Sequence, residues 1–517
     1  MNSVSVLNDV LGPVMPGPSS SHTAAPFFIA TVARRLLGEP LAAAAIVFDP
    51  GGSFAAVYRP QRSDIGFAAG LAALELTDPD FSRAFDKLKD AEAGIEFVIE
   101  QLTHREQPNS VELRLTGRSG ARVTVNAVSI GGGAFRITHI EHFAVDFNGQ
   151  FHAVFVSAPW QHAERLRELL KDEAFLPGEP SEQSADGEIA FQFSRTEPLS
   201  AGLRESLSSL QPPVILREAA PVFFVLRGQP LFRSAEEMVR QATVEGKSLG
   251  GIVLEYEAAL LGLTTGQIIE LILERYGVME RSVAYGMKDD VPLKLLTPSA
   301  KHLMDAEKAE RLPSGGLPAR AAARALAAMQ GCAVGGLVCA APTAGSAGVI
   351  PGVMVTLVEH LSLDRVQIAK ALLAAAGVGL ITAYRATFSA EVAGCQVEIG
   401  AASAMAAAAV VEAAGGSPQQ AVDAAATAYQ STLGLVCDPV QGMVEIPCQV
   451  RNAAAAPAAF IHADLSMGGY PNPIPLDETI DAVMRVGASM PRALRCTALG
   501  GLAQTPSALK LVPREIG

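Results

Sequence analysis

Apolar residues recur at helical spacing through APFFIATVARRLL, which predicts a helix from Ala24 to Leu37. Beyond it, AAIVF and FAAVY read as strands on either side of Gly51-Gly52, and VTVNAVSI runs as a strand into Gly131-Gly132-Gly133. Helix and strand therefore mix up to about residue 145, the pattern of an α/β domain. From Phe151 the order changes to a strand HAVFVSA, a polar helix from His162 to Asp172, and a strand FQFSR. This predicts a second, smaller α/β module, interrupted by the polar linker GEPSEQSADGE. From Ser234 onward nearly every segment reads as helix punctuated by Gly and Pro, so the C-terminal region is expected to be mostly α. Within it, AASAMAAAAVVEAAGG and AVDAAATAYQ carry Ala at most positions, which gives high helix propensity and thin helices able to approach closely.

Length and composition narrow the class. A chain of 517 residues exceeds the roughly 250 to 300 that one core sustains, so two or three domains are expected. With 49% hydrophobic and 18% charged residues, global disorder is excluded. The balance of 40 basic against 53 acidic residues argues against general attraction to nucleic acid or an anionic membrane, and a small-molecule enzyme becomes the default. One stretch, Ala325 to Val358, contains no charged residue and exceeds the roughly 20 residues that span a bilayer. Its prolines, glycines and alanines stand where a membrane helix would carry Leu, Ile and Phe, and favour a buried segment packed by small residues. MNSVSVLNDVLGPVMPG has no basic region ahead of an apolar run, so no secretory signal is expected and the protein is placed in the cytoplasm. The cysteines at 332, 339, 395, 437, 448 and 496 are then expected to be reduced.

Three constellations carry candidate chemistry. Gly17-Pro18-Ser19-Ser20-Ser21-His22-Thr23 precedes a helix; its hydroxyls and amide N–H groups suit an anion such as a carboxylate, and His22 suits proton transfer. The same turn is equally a polyhydroxyl helix cap. The run Thr343-Ala344-Gly345-Ser346, flanked by Gly335-Gly336 and Pro351-Gly352, either brings backbone amides close to a ligand or packs turns in a crowded core. Cys395, Cys437 and Cys448 each lie beside a turn signal, at spacings that match neither a zinc ribbon nor a ferredoxin. They read as buried structural thiols or as ligands of an iron–sulfur cluster with one iron open to act as a Lewis acid.

The segments GPSSSHT, SIGGG, CAAPTAGSAGVIPG, GCQVEIGAASAMAAAAVVEAAGGSPQQ, LGLVCDPVQGMVEIPC, RNAAAA and GGLA resemble, in order and spacing, the iron–sulfur-dependent L-serine dehydratases, or L-serine ammonia-lyases. The resemblance implies an α+β multidomain chain that fuses the family's two parts. Residues 1–148 would be the β-like α/β domain, 149–225 an ACT-like module and linker, and 226–517 an all-α iron–sulfur catalytic domain. It further implies a 4Fe-4S cluster held by Cys395, Cys437 and Cys448, with Cys332, Cys339 and Cys496 outside the ligand set. His22, Ser20 and Ser21 take catalytic roles by the same resemblance, and Ser19, Thr23, Ser53, Asp64, Thr343, Ala344, Gly345 and Ser346 contact substrate. The implied reaction removes an α-proton and a β-hydroxide from a serine-like substrate, leaving an enamine that becomes a keto acid and ammonia. A cytoplasmic homo-oligomer, a dimer, with a small-molecule substrate and no nucleic-acid or membrane partner is the corresponding expectation.

Departures from the family pattern accompany the matches. Relatives usually carry a GHxTD segment where this chain reads Arg59-Pro60-Gln61-Arg62-Ser63-Asp64, so Gln61 stands at the His position and cannot act as a base. The SGLTGGD segment is replaced by MKDDVPLKLLTPSAKH, and Cys496 stands where relatives commonly have Glu. These changes suit a larger β-hydroxy acid or amino acid met by Arg62 or Lys288, whose alternative is a solvated surface charge. They also keep open a desulfidase-like elimination and a catalytically silent amino-acid-binding homologue.

Overall fold

In the computed structural model, residues 3–171 and 176–515 are described. The N-terminal region builds a six-stranded sheet whose spatial order is Gly94–Ile99, Leu41–Phe48, Ser110–Gly117, Arg122–Gly131, Ala134–Ile140 and Phe143–Phe147. Only the first pair is parallel. Helix Ala25–Leu37 lies on this sheet, and Phe28, Ile29, Val32 and Leu36 share one core with Leu113, Leu115, Val125, Phe135 and Ile137. FAAVY is not a strand but the short helix Ser53–Val57. Its Phe54 and Val57, three apart, both turn into the core, and a five-residue run fits either period until its burial is known.

A second sheet has the order Ile215–Ala219, His152–Pro159, Glu188–Arg195, Leu176–Ala185, all antiparallel. With helices Ala163–Leu170 and Ala201–Ser208 it follows the β-α-β-β-α-β order of a split βαβ unit. Most of the expected linker GEPSEQSADGE is therefore the edge strand of a hairpin, closed by Asp186 and Gly187 at positive φ. It is polar because an edge strand has no outer neighbour to pack against. The expected helix is shorter, ending at Leu170; Asp172 lies outside the described residues.

From Ala235 the chain is helical apart from the three-residue strand Leu337–Cys339. Ala325 to Val358 is broken into the end of helix Gly316–Ala333, that strand, a turn at Ala344–Ser346 and helix Val349–Leu361. Two other helices, Arg365–Arg385 and the Cys395–Ala413 stretch, are long and apolar enough to cross a membrane, with 78% and 89% of their apolar windows buried inside the protein. Ala-rich faces let them pack closely: Ala401, Ala404 and Ala408 are fully buried with Ala371, Ala375 and Val378 in one core.

The two halves interlock. Val6, Leu7, Val10 and Leu11 belong to the C-terminal helical core, where the buried Glu257 carboxylate accepts from Ser5 Oγ (2.5 Å) and from the N–H groups of Val6 (2.8 Å) and Leu7 (3.0 Å). Strand Val14–Pro16 then pairs antiparallel with Leu337–Cys339. The turn that follows, Gly17 to Ala24, is thereby delivered to the seam between the halves.

Candidate active site

Ser19 caps the wide helical turn Ser20–Ala24, accepting the His22 N–H at 3.2 Å, and the turn runs directly into helix Ala25–Leu37. Its close approach to the C-terminal half depends on Gly17, where a Cβ would stand 2.0 Å from the Cys332 carbonyl oxygen. Ser20 Oγ accepts from Ala344 N–H (3.3 Å), joining the SSSHT turn to the Thr343 loop. Thr23 Oγ1 donates to the Gln61 carbonyl (2.9 Å) and so fixes the Gln61 segment.

His22 is fully buried, with an acid on one side and a hydroxyl on the other. Nδ1 lies 3.3 Å from Glu391 Oε1, and Nε2 lies 3.2 Å from Ser53 Oγ. Ser21 Oγ and Ser389 Oγ donate to the two Glu391 oxygens, at 3.1 and 2.8 Å. With Glu391 ionised, Nδ1 carries the proton toward the carboxylate and Nε2 is left as the basic nitrogen. Burial pulls the imidazole below its ordinary value, and the Glu391 charge opposes that. Glu391 is brought here by the N-terminal sheet. Gly131, at φ 96°, bridges to Phe388 and would put a Cβ 2.5 Å from Ser389 N, so the SIGGG turn seats directly on the loop that carries the acid.

Thiols form a second group, four residues beyond Glu391 in the chain. Cys395 opens a short turn after Gly394, Cys437 follows helix Pro418–Thr432, and Cys448 is the first residue of helix Cys448–Met467. Ligand atoms of Cys395, Glu398 and Cys437 all lie within 4.8 Å of one another. A hydrogen bond from Cys437 holds the Cys395 thiol below its ordinary value against burial, helped by the Arg451 guanidinium. Hydrogen bonds to Cys395 and Cys496, with burial, push Cys437 well up; burial and the charges of Cys395 and Glu398 do the same to Cys448. Arg451 is fixed by Val436 O and Asp438 Oδ1, both at 2.8 Å. Burial and the neighbouring Cys395 and Glu391 raise Glu398 well above an ordinary carboxyl.

Of the expected site residues, Ser19, Ser21 and Ser53 meet around the His22 imidazole, whereas Ser20 turns to the Thr343 loop. Thr343 caps the Ala344–Ser346 turn, and Gly345 faces the Glu398 carboxylate, its built Cβ 3.2 Å from Oε1. Asn452 ties this turn to the cysteine loop by donating to Gly345 O and Cys448 O, both at 2.9 Å. Asp64 instead accepts from Ile65 N–H at the start of its own helix, Ser63–Leu71. Lys288 is exposed, over the Tyr285 ring, and Arg62 packs against Gly335. The replaced segment after Tyr285 docks on the cysteine loop, where Glu445 accepts from the N–H groups of Lys294, Leu295 and Leu296 at 2.8 to 3.0 Å.

Sequence reasoning missed Glu391 and Glu398, although each is an isolated acid in an apolar run around Cys395. Cys496, expected outside the ligand set, neighbours Cys437 through the backbone bond from its N–H to Cys437 O (2.9 Å), and its Sγ lies 3.7 Å from Gln61 Nε2. Cys332 and Cys339 are buried by ordinary packing, which pushes their thiols up to about 12 and about 11.

Cys395 and Cys437 close in on one another with Glu398, while the half-buried Cys448 lies outside that 4.8 Å group but feels the Cys395 charge; two neighbouring thiols beside a fixed guanidinium suit a soft, thiolate-bound centre such as an iron–sulfur cluster. Comparison with known proteins gives a consistent family. The family model described as the serine dehydratase alpha chain matches residues 235–503. A probable L-serine dehydratase alpha chain of Bacillus subtilis (strain 168) is 38% identical over 288 residues, which cover 56% of this chain and 96% of that protein. The L-serine dehydratase alpha chain of Peptoniphilus asaccharolyticus is 36% identical over 54% of this chain and 97% of its own length. L-serine dehydratase 1 of Escherichia coli (strain K12) is 32% identical over 53% of this chain and 61% of its own.

Proposed function

The chain belongs to the serine dehydratase alpha chain family, and on that premise we propose that it is a lyase eliminating water from a serine-like β-hydroxy amino acid, to give a 2-keto acid and ammonia. Cys395, Cys437 and Cys448 would hold a 4Fe-4S cluster. The observation that supports this reading is the grouping of the Cys395 and Cys437 thiols with Glu398, and the buried Glu391–His22 pair, with Glu391 and Glu398 flanking Cys395 in the chain.

When bound, such a cluster supplies a Lewis acid for the departing hydroxide. His22 Nε2 takes the substrate α-proton, and Glu391 holds Nδ1–H and stabilises the imidazolium that forms. Arg451 offsets thiolate charge next to Cys395 and Cys448. The buried Thr343–Ser346 turn, tied to Ser20 and Asn452, closes the site against water. Gln61 and Cys496 touch each other, so two of the three departures from the family pattern form one altered wall, which favours a β-hydroxy substrate other than serine as a second reading. The cytoplasm, where thiols stay reduced, is the compartment this chemistry needs.

Anaerobic purification with iron and sulfide analysis, followed by a screen of β-hydroxy amino acids for ammonia and keto acid, tests the reading. Brown protein absorbing near 400 nm and releasing both products is expected. Folded protein that takes up no iron and releases neither product would overturn it.

A further inference from the structure

Away from the His22 imidazole, a cavity of about 570 Å³ lies where three parts of the chain meet. Helix Ala25–Leu37 gives it one wall, the segment 221–224 that leaves the second sheet gives another, and Arg275 of helix Thr265–Gly286 reaches it from the C-terminal half. Its size falls within the roughly 300 to 1,000 Å³ of small-molecule sites. Phe27, Thr31 and Arg34, with Phe28 and Arg35 beside them, recur at helical spacing, so one face of the helix supplies both apolar and charged lining.

Arg34, Arg35 and Arg275 all line this cavity, against the single carboxylate of Glu75. In a chain with 53 acidic against 40 basic residues carboxylates are plentiful, yet among the described residues none is ion-paired with these three guanidinium groups. Each is anchored instead on main-chain carbonyls of a different segment. Arg34 Nε donates to Gly70 O (3.2 Å), Arg35 Nη1 to Ala220 O (2.8 Å) and Pro221 O (3.2 Å), and Arg275 to Leu11 O (2.7 Å) and Leu271 O (3.2 Å). Nη2 of each makes no hydrogen bond among the described residues and is left for another acceptor. Neutral carbonyls fix the forks without offsetting their charge, and burial lowers the proton affinity of all three below its ordinary value. Arg275 feels the Glu257 charge, but that carboxylate is taken by Ser5, Val6 and Leu7. The remaining lining is aromatic: Phe28 and Phe223 meet edge to face at 4.8 Å, and Phe27 and Phe224 border the same space.

We propose that this cavity binds a phosphate monoester attached to a ring, the phosphate held by Arg34, Arg35 and Arg275 and the ring packed among the phenylalanines. Arginine forks match phosphate oxygens in pairs, and aromatic edges and faces suit a flat ligand. Three cations against one carboxylate suit a group that carries close to two negative charges on one centre, as a phosphate monoester does at neutral pH, better than a single carboxylate. The ligand bridges the helix that continues from the His22 turn, the exit of the second sheet and the C-terminal half, so its binding stabilises the folded chain by mass action. The cavity uses neither the cofactor nor the elimination proposed above, so either assignment can fail without the other.

The test titrates adenosine 5′-monophosphate, phenyl phosphate, inorganic phosphate and adenosine into the full chain, purified anaerobically, by calorimetry and by thermal melting. At least one of the two esters is expected to raise the unfolding temperature and to bind with a Kd below about 1 mM, at least about tenfold tighter than inorganic phosphate or adenosine. Arg34→Gln and Arg275→Gln should each weaken that binding by about tenfold or more. Arg275→Lys, which keeps a donor for Leu11 O but loses the fork, serves if Arg275→Gln fails to fold. Absence of binding by both esters overturns the proposal, as does inorganic phosphate binding as tightly as they do, which marks an adventitious ion only. Wild-type affinity in either folded variant also overturns it. If binding is lost in Arg34→Gln alone, the ligand sits in the neighbouring cavity that Arg34 and Arg35 share with Arg118.

Discussion

Replacing Glu391 with Gln removes the charge from the His22–Glu391 pair while keeping an oxygen able to accept the Nδ1 proton. At 3.3 Å the attraction between carboxylate and imidazolium is about 5 kcal/mol at an effective dielectric near 20, before desolvation is subtracted. Breaking a buried pair by removing one partner costs about 3 to 5 kcal/mol. If that loss falls on the step in which His22 becomes charged, turnover drops by about 10²- to 10⁴-fold. The pH profile supplies a readout that a merely structural role would not move. Glu391 raises the imidazole's affinity for protons against burial, so its removal shifts the acid limb of the rate profile to lower pH. Steady-state turnover from pH 5 to 9 on anaerobic protein, with absorbance confirming equal cluster loading, measures both effects. Wild-type turnover in Glu391→Gln, or an acid limb that stays in place while turnover falls, would refute the assignment of His22 as base with Glu391 behind it.

Further outcomes follow from the same contacts. Cys437→Ser should lower bound iron sharply in folded protein, and full iron occupancy would remove Cys437 from the ligand set. Gly131→Ala sets a Cβ against Ser389 N at positive φ, and should cost about 1 to 3 kcal/mol in urea unfolding and reduce turnover by displacing Glu391. Asp9, half-buried beside Glu257 and accepting from Ser5 N–H, is pushed up to about 7 mainly by burial. Its folded-state value lies above the unfolded 3.8, so its contribution to stability is lost as pH rises toward 7. Asp9→Asn should therefore gain stability relative to wild type between pH 5 and pH 8, and a constant difference between their urea midpoints would contradict this.

Local periodicity made the helix on the N-terminal sheet legible to within a residue, and Gly-Pro punctuation made the helical C-terminal region legible as a class. Short or polar segments were harder. FAAVY fits two periods, and the strand before Asp186-Gly187 is polar because it lies at a sheet edge, although the turn itself is a hairpin signal. Motifs singled out His22 and the three cysteines as candidates, but the residues the structure sets around them come from far along the chain. Glu391 reaches His22 through a loop seated on Gly131, and Cys496 reaches Cys437 through one backbone hydrogen bond, beside a second from Cys437 to Leu494. The burial of Val6, Leu7, Val10 and Leu11 in the C-terminal core is likewise a long-range contact with no local pattern, since Glu257 is what holds that segment there.

The central claim is that this chain performs an elimination on a β-hydroxy amino acid, and one reaction in deuterated water tests it most directly. Anaerobic protein incubated with L-serine and, in parallel, L-threonine is predicted to release ammonia and the corresponding 2-keto acid in equal amounts from at least one of them. That product should carry a solvent deuteron at Cβ, because the enamine left by elimination takes its proton there, and Cys395→Ser should form neither product. Ammonia without keto acid, or unchanged product formation in a Cys395→Ser protein that binds no iron, would contradict the account.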